Sequence, residues 1–157
     1  MRLVVVLDNL RSSHNVGAIF RTADALSCEK IYLCGTTPTP NQLGKAGREF
    51  NKTALGAEVN LVWEKKKRLS EVIKTLKKQG YQIVALEQAK QATDIRRYHL
   101  PRNSKVALIL GYEVKGIRPA ILRQCDKIIE IPMFGKKESL NVSVAFGIAG
   151  YCLKFKK

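Results

Sequence analysis

Short apolar runs alternate along the chain with segments whose apolar residues repeat at helical spacing, and this alternation restricts the fold more than any other feature. The runs are rich in Val, Ile and Leu and predict buried strands at residues 3–7, 30–35, 59–63, 81–87, 105–111 and 127–132. Helical spacing and stop signals predict helices at residues 16–26, 68–79, 119–125 and 141–155. Two prolines and two glycines predict a loop at residues 36–47. Strands that alternate with helices indicate an α/β domain, with a mostly parallel sheet covered by helices on both faces.

The length and composition fit one domain with a substantial core. The chain has 157 residues, of which 45% are apolar, and no linker or repeat divides it, so we expect a single domain over residues 1–157. No apolar run reaches the roughly 18 residues of a membrane span, and the apolar run in MRLVVVLDNL is too short for a secretory signal. The four cysteines form no C-x-x-C pair. This favours reduced thiols in a cytoplasmic protein over disulfides or a metal site.

The charge of the chain is strongly positive. It has 28 Lys and Arg against 13 Asp and Glu, a formal net charge of +15, and such a field attracts polyanions. Nucleic acid and an anionic membrane surface both qualify, but no predicted amphipathic helix pairs a basic face with Trp or Phe, which weakens the membrane interpretation. The alternative to a polyanionic partner is that the positive charge serves only to keep the protein in solution. The composition favours a nucleic-acid partner.

The expected sheet indicates where a ligand would bind. Ligands of parallel sheets bind beyond the carboxyl ends of the strands, which directs attention to the loops at 8–15, 35–56, 87–98, 111–118 and 132–141. Neither G-x-x-x-x-G-K-[ST] nor G-x-G-x-x-G occurs at the expected place, which argues against a P-loop nucleotidase and an ordinary dinucleotide-binding enzyme. Two histidines are too few for a histidine-rich metal site. We therefore expect no metal.

The loop after the first strand leads into a helix with an unusual arginine. Ser13 or Asn15 can cap this helix, since their side-chain oxygens accept backbone N–H groups left free at a helix start. Arg21 points away from the apolar stripe that contains Val16 and Phe20. It is either an ordinary solvated helix residue or a phosphate ligand, because helix starts and guanidinium groups both bind anions.

Two later loops carry further polar residues. In LGYEVKGI, Gly111 follows the most apolar strand and permits close approach to the backbone, and Glu113 sits on the turn that follows. In IPMFGKKESLNVSVA, an N-cap explains either Ser139 or Asn141. One cap accounts for only one polar residue, so capping does not explain why Ser139, Asn141 and Ser143 all occur here.

Together these loops resemble a known family. The segments NVGAIFRTA (15–23), LGYEVKGI (110–117) and IPMFGKKESLNVSVA (131–145) are similar to motifs one, two and three of the SpoU/TrmH RNA methyltransferases, within the SPOUT superfamily. They occur in the order of that family, and each lies on a predicted strand-to-helix loop. The resemblance extends from residue 3 to about residue 153.

The resemblance implies an activity, a cofactor and a topology. It implies methyl transfer from S-adenosylmethionine to a ribose 2′-hydroxyl of RNA, and a C-terminal segment threaded as a deep trefoil knot, an exception to the usual rules of topology. Carried over residue by residue, the methyl donor would bind Leu86, Gly111, Ile131, Met133 and Leu140. Catalysis and substrate positioning would fall to Arg21, Asn15, Glu113, Ser139 and Asn141.

The resemblance also implies partners. Members of the family are homodimers with the site near the shared interface, and many that modify ribosomal RNA carry an additional N-terminal RNA-binding domain. Because the first predicted strand begins at residue 3, we expect no such domain and favour tRNA over ribosomal RNA, with no DNA substrate. A non-catalytic RNA-binding protein that keeps the fold is one alternative. An enzyme of the superfamily that methylates a base is another.

Overall fold

The computed structural model describes residues 1–155; Lys156 and Lys157, which belong to the expected domain of residues 1–157, lie outside the described residues. Its strands are β1 (Arg2–Asp8), β2 (Lys30–Cys34), β3 (Trp63–Lys66), β4 (Gln82–Leu86), β5 (Thr93–Asp94), β6 (Lys105–Leu110) and β7 (Lys127–Glu130). They form one sheet in the order β3-β2-β1-β6-β4-β7-β5, and every pair of neighbours is parallel. The prediction of a mostly parallel α/β sheet is confirmed.

Helices connect the strands and cover the sheet. They are α1 (Ser13–Ala25), α2 (Gly44–Ala54), α3 (Ala57–Asn60), α4 (Leu69–Lys78), α5 (Pro119–Leu122) and α6 (Val142–Phe155). None of the helices in residues 1–155 is both long enough and apolar enough to cross a membrane.

Alternate residues of β1 belong to opposite faces of the sheet, as the period of a strand requires. Leu3, Val5 and Leu7 join a core completed by residues of α1, α2 and α6, whereas Val4 and Val6 join a second core with residues of α4 and α5. Burying each such large apolar side chain contributes about 1.5–3 kcal/mol. The sheet is therefore covered on both faces, as predicted.

The strand predicted at residues 59–63 is wrong. Residues Ala57–Asn60 form α3, and β3 begins only at Trp63. Val59 and Val62, which made this run look like a buried strand, are 82% and 60% exposed. β3 is instead a charged edge strand, and charges at a sheet edge oppose pairing with other chains.

The loop predicted at residues 36–47 is also partly wrong, because α2 begins at Gly44. This helix has only three buried residues, among them Gly47 and Phe50. The ring of Phe50 meets that of Phe20 edge-on, with 5.2 Å between their centroids. A Cβ at Gly47 would lie 1.9 Å from the carbonyl oxygen of Gln42. Tertiary packing thus outweighs the poor helix propensity of glycine here.

β5 has no counterpart among the six predicted strands, because its two residues are too few to show a hydrophobic period. It extends the sheet by pairing Thr93 with Ile129 and Asp94 with Glu130. The other predicted strands and helices are confirmed, with ends that differ by a few residues.

Candidate functional site

The loops after β4, β6 and β7 meet at the carboxyl edge of the sheet and enclose a cavity of about 350 Å³. This is the edge at which parallel sheets bind ligands. The cavity is lined by all five residues predicted to bind the donor, which are Leu86, Gly111, Ile131, Met133 and Leu140. Glu113 and Ser139 line it as well. Seven of the ten predicted site residues thus share one cavity.

A carboxylate that the sequence analysis did not select holds one wall of this cavity. Glu87 accepts hydrogen bonds from the backbone N–H of Ile117 (2.7 Å) and of Gln88 (3.0 Å). Gly116 adopts φ +66°, which favours glycine, and a Cβ there would lie 2.3 Å from Glu87 Oε2, so the carboxylate would have to shift. A Cβ at Gly111 would lie 2.7 Å from the backbone nitrogen of Ile117. The turn at 111–117 is therefore folded tightly against Glu87.

The three loops singled out in the sequence are joined by polar side chains. Asn141 Nδ2 donates to Asn15 Oδ1 at 3.1 Å, and Asn15 Nδ2 makes a long contact of 3.5 Å with Glu113 Oε1. The backbone N–H groups of Arg11 and Ser12 also point at the Glu113 carboxylate, at 3.3 and 3.4 Å. One residue from each loop thus meets the others at the edge of the cavity.

The helix starts around this cluster differ in part from the predictions. Ser12, rather than Ser13 or Asn15, caps α1, with its Oγ accepting from the backbone N–H of Asn15 at 3.2 Å. Asn141 does cap α6, because its Oδ1 accepts from the backbone N–H of Ser143 at 2.9 Å and from the Ser143 hydroxyl at 2.6 Å. Capping and the bond to Asn15 use opposite ends of the same amide.

Arg21 is not among the residues that line this cavity. It lies six positions beyond Asn15 on α1, which corresponds to about 9 Å along the helix axis and about 120° around it. Its side chain borders a second cavity of about 520 Å³, between α1, α2 and α6, together with Lys52 and Tyr151. Within one chain, Arg21 is thus separated from the other predicted catalytic residues.

The second cavity adjoins an exposed apolar stripe on α6. Val144, Ile148, Tyr151 and Phe155 are 50%, 39%, 62% and 56% exposed, and their spacing puts them along one side of the helix. The rings of Tyr151 and Phe155 lie 4.9 Å apart between centroids. A contiguous apolar stripe of this kind marks a surface for binding another molecule.

The charge of the first cavity opposes that of the whole chain. Among residues 1–155, Glu87, Glu113 and Glu130 line it against a single cation, Lys115, although the chain carries +15 overall. The remaining lining is largely apolar. Such a cavity suits a ligand that combines an apolar group with positive charge.

Several further residues of the cavity were not indicated by the sequence. Glu87, Tyr112, Glu130, Val142 and Ala145 all line the cavity. Glu87 could have been found, because it directly follows β4 at the ligand edge of the sheet. In the sequence, Val142 and Ala145 indicate only the apolar side of a helix, so no signal marked them as cavity residues.

Comparison with known proteins identifies relatives of the chain. The model of the family described as "SpoU rRNA Methylase family" matches residues 2–151. The tRNA (guanosine(18)-2′-O)-methyltransferase of Aquifex aeolicus is 33% identical over 149 residues, which are 95% of this chain and 67% of that protein. The 23S rRNA (guanosine-2′-O-)-methyltransferase RlmB of Neisseria meningitidis is 31% identical over 146 residues, 93% of this chain and 55% of that protein. The chain thus spans between about half and two thirds of these relatives.

The fold also matches a solved structure. The S-adenosylmethionine-bound rRNA methyltransferase of Sinorhizobium meliloti superposes with a TM-score of 0.85 and 28% identity, over 96% of this chain and 55% of that one. The three polar loops, the cavity at the ligand edge and the match over residues 2–151 lead to one conclusion: this chain belongs to the SpoU rRNA methylase family.

Proposed function

We propose that the protein transfers a methyl group from S-adenosylmethionine to a ribose 2′-hydroxyl of RNA, with tRNA as the substrate. One observation carries the proposal. A polar cluster of Asn15, Glu113 and Asn141 borders an acidic and apolar cavity, in a chain whose net charge of +15 attracts RNA.

The residues of the cavity fit S-adenosylmethionine. Its volume of about 350 Å³ lies within the roughly 300–1,000 Å³ of small-molecule sites. Ile131, Met133 and Leu140 offer an apolar wall for the adenine, and Glu87 and Glu113 offer negative charge to a cationic donor. The chemistry supplied by this cofactor when bound is an electrophilic methyl group on a sulfonium sulfur. Attack of a ribose hydroxyl oxygen on that methyl carbon would release the sulfur as a neutral thioether and the hydroxyl proton to water, and would require no metal.

The polar cluster would orient the acceptor ribose. The amides of Asn15 and Asn141 are already fixed by one another, and Ser139 lines the cavity next to them. Groups held in advance at the reacting hydroxyl lower the barrier by positioning and by stabilising negative charge as it develops. We assign Asn15, Ser139 and Asn141 to this task, and we assign Glu113 to orienting the amide of Asn15.

Arg21 would act on the phosphate beside the reacting ribose. A guanidinium remains protonated in proteins, so it serves better as an anion ligand than as a base. Since Arg21 borders the second cavity rather than the first, we propose that a homodimer brings it to a site. The exposed stripe of α6 beside that cavity supports a second copy of this chain as the partner.

The preference for tRNA rests on the relatives. The tRNA (guanosine(18)-2′-O)-methyltransferase of Aquifex aeolicus is 33% identical to this chain over 149 residues, and the 23S rRNA methyltransferase of Neisseria meningitidis is 31% identical over 146 residues. Ribosomal RNA is the alternative substrate.

Single-turnover methyl transfer tests the proposal. Purified protein with labelled S-adenosylmethionine is offered total tRNA or ribosomal RNA, and the RNA is digested to nucleosides. We expect 2′-O-methylated nucleosides from tRNA. Label in ribosomal RNA alone would overturn the choice of substrate, and label on a base would favour the base-methylating alternative. No transfer to either pool, with RNA binding intact, would favour the non-catalytic protein.

We further propose that the segment after β7 is threaded as a trefoil knot. The insertion of β7 between β4 and β5, and the return of residues 131–141 to the loops after β1 and β6, support such threading. A stable domain fused behind α6 should then slow refolding more than the same domain fused before β1. Equal slowing from both fusions would argue against a knot.

We also propose a single cytoplasmic domain. All four cysteines are free thiols, and Cys28 and Cys34 are buried. Such cysteines suit a reducing compartment. One cooperative unfolding transition, monitored by fluorescence and by circular dichroism, would support the single domain.

A further inference from the structure

An exposed aromatic ring stands beside the cavity. Phe134 follows the cavity residue Met133 on the loop after β7, and it is 82% exposed. A phenyl group left in water forgoes about 1.5–3 kcal/mol of burial energy. Such an exposed ring at the mouth of a site suggests a role in binding.

One face of this ring is occupied by a guanidinium. Arg96 Cζ lies 5.1 Å from the centroid of Phe134, within the range of a cation–π interaction. With four fifths of Phe134 exposed, the opposite face of the ring is open to solvent. The ring therefore offers one free π-face.

Arg96 is itself held in place. Its Nε and Nη2 donate to the Asp94 carboxylate at 2.9 and 2.6 Å, and its backbone N–H donates to Asp94 Oδ1 at 2.8 Å. Asp94 belongs to β5, which is fixed to β7 by pairing with Glu130. The guanidinium that contacts the ring is thus itself held by a carboxylate on a strand of the sheet.

Exposed lysines follow the ring along the chain. Lys136 and Lys137 lie on the same loop, ahead of Glu138, and the whole chain carries a net charge of +15. Aromatic rings flanked by cations bind single-stranded nucleic acid, because bases stack on the ring while cations hold the phosphates. An anionic chain with unpaired bases therefore fits better than an apolar protein partner.

We propose that Phe134, supported by Arg96, is a stacking platform for an unpaired base of the RNA substrate, next to the ribose that is methylated. The inference rests on the proposed function for the identity of the ligand. It adds a specificity: the enzyme selects a nucleotide whose neighbour is unstacked, because a base inside a duplex cannot reach the ring. Phe134 binds and positions the RNA and takes no part in the chemistry.

Two probes separate stacking from charge. One is a single-stranded 12-mer RNA, and the other is an abasic 12-mer with the same ribose-phosphate backbone. Phe134→Ala should weaken binding of the first by about 5- to 150-fold, the range of one base–aromatic stack, and should leave the second unchanged. Phe134→Leu should weaken binding as Phe134→Ala does, because leucine has no aromatic ring. Phe134→Trp keeps an aromatic ring and should bind the 12-mer about as tightly as the wild type. The slope of log affinity against log salt should stay constant, since no phosphate contact is lost.

Leu43→Ala is the matched control, because Leu43 is another exposed apolar side chain, at 93%, and does not line the cavity. It should leave both probes unaffected. Equal binding of the RNA 12-mer by wild type and Phe134→Ala would overturn this inference. The proposed function would still stand in that case, provided that the wild type transfers methyl groups to RNA. If the wild type binds no RNA, both fail.

Two further measurements exclude other occupants of the ring. Calorimetry with S-adenosylmethionine alone should give the same affinity for wild type and Phe134→Ala, and a loss confined to this donor would show that the ring covers the donor instead. Sedimentation should give the same mass for both proteins. A Phe134→Ala protein that dissociates would assign the ring to a subunit interface and overturn the proposal.

Discussion

Asn141 donates a hydrogen bond from its side-chain amide to Asn15 across 3.1 Å, although 126 positions separate the two residues. The contact joins the start of α6 to the first turn of α1. Because the other end of the Asn141 amide caps α6, the orientation of one side chain depends on both helices. The polar cluster is therefore fixed only when α1 and α6 are packed together.

Asn141→Ala and Asn141→Asp should separate these two tasks. Alanine removes the cap and should cost about 1 kcal/mol of stability, measured by urea unfolding. Aspartate keeps an acceptor for the Ser143 N–H and favours the positive end of the helix dipole, so stability should be retained. Both variants should lose methyl transfer, since neither can donate to Asn15. Full activity in Asn141→Asp would show that the contact with Asn15 is dispensable.

Arg21→Ala should abolish most methyl transfer and leave the affinity for S-adenosylmethionine nearly unchanged. The reason is that the proposed contact of Arg21 with an RNA phosphate would strengthen in the transition state, whereas Arg21 does not line the cavity proposed for the donor. Arg21→Lys should restore only part of the rate, because an ammonium cannot form a two-pronged contact. Single-turnover rates paired with calorimetry measure both effects. Near-wild-type turnover in Arg21→Ala would make Arg21 an ordinary solvated helix residue.

Mixing two inactive variants tests whether Arg21 acts across a subunit interface. If it does, a heterodimer of Arg21→Ala and Asn141→Ala subunits contains one site with both native residues. Co-refolded equimolar mixtures should then recover about a quarter of the activity of mixed wild-type subunits, because random pairing in C2 dimers makes about half of the dimers heterodimers and each of these has one native site of two. Activity that stays at the level of the separate variants, in mixtures shown to be dimeric, would mean that each chain supplies its own arginine.

Glu87→Ala should weaken binding of S-adenosylmethionine by about tenfold, equivalent to about 1.4 kcal/mol. The substitution frees the backbone N–H groups of Ile117 and Gln88 and removes a negative charge from the cavity. Glu87→Gln should have a smaller effect, since an amide oxygen can still accept from Ile117. Glu71→Ala is the control for charge, because Glu71 is exposed on α4. A loss of affinity equal to that of the control would contradict a role for Glu87.

Cys28 and Cys34 should resist alkylation in the native protein. Burial raises the pKa of each thiol to about 12, so at pH 8 only about one molecule in 10⁴ carries a thiolate at either position. Mass spectrometry after iodoacetamide treatment should find these two sites unmodified, and urea should make them reactive. Rapid labelling of either thiol in folded protein would contradict their burial.

The sequence predicted those parts of the molecule in which local pattern and tertiary packing agree. β1 and β6 are continuous apolar runs because both of their faces are buried, and this reads directly from the chain. α2 was missed because its place depends on the contact of Phe50 with Phe20, which no local period reveals. The apolar run at 59–63 predicted a buried strand, and this prediction is wrong because Val59 and Val62 are exposed.

The site follows the same division. Motif residues could be assigned by resemblance, and seven of the ten share one cavity. Asn15 and Asn141 then meet at its edge. The separation of Arg21 from this group depends on its angle around α1, and the role of Glu87 depends on the fold of the turn at 111–117. Neither relationship can be inferred from the spacing of residues along the chain.

The interior position of β1 in the sheet, between β2 and β6, has a consequence for synthesis. One edge of β1 pairs with β2, about 25 residues later in the chain. Its other edge pairs with β6, which is synthesised about 100 residues later. At roughly 5–20 residues per second, the ribosome leaves this edge unpaired for about 5–20 s. An apolar strand with a bare edge is a template for aggregation during that interval. Translation speed between β2 and β6 should therefore affect the yield of folded protein more than it affects its final stability.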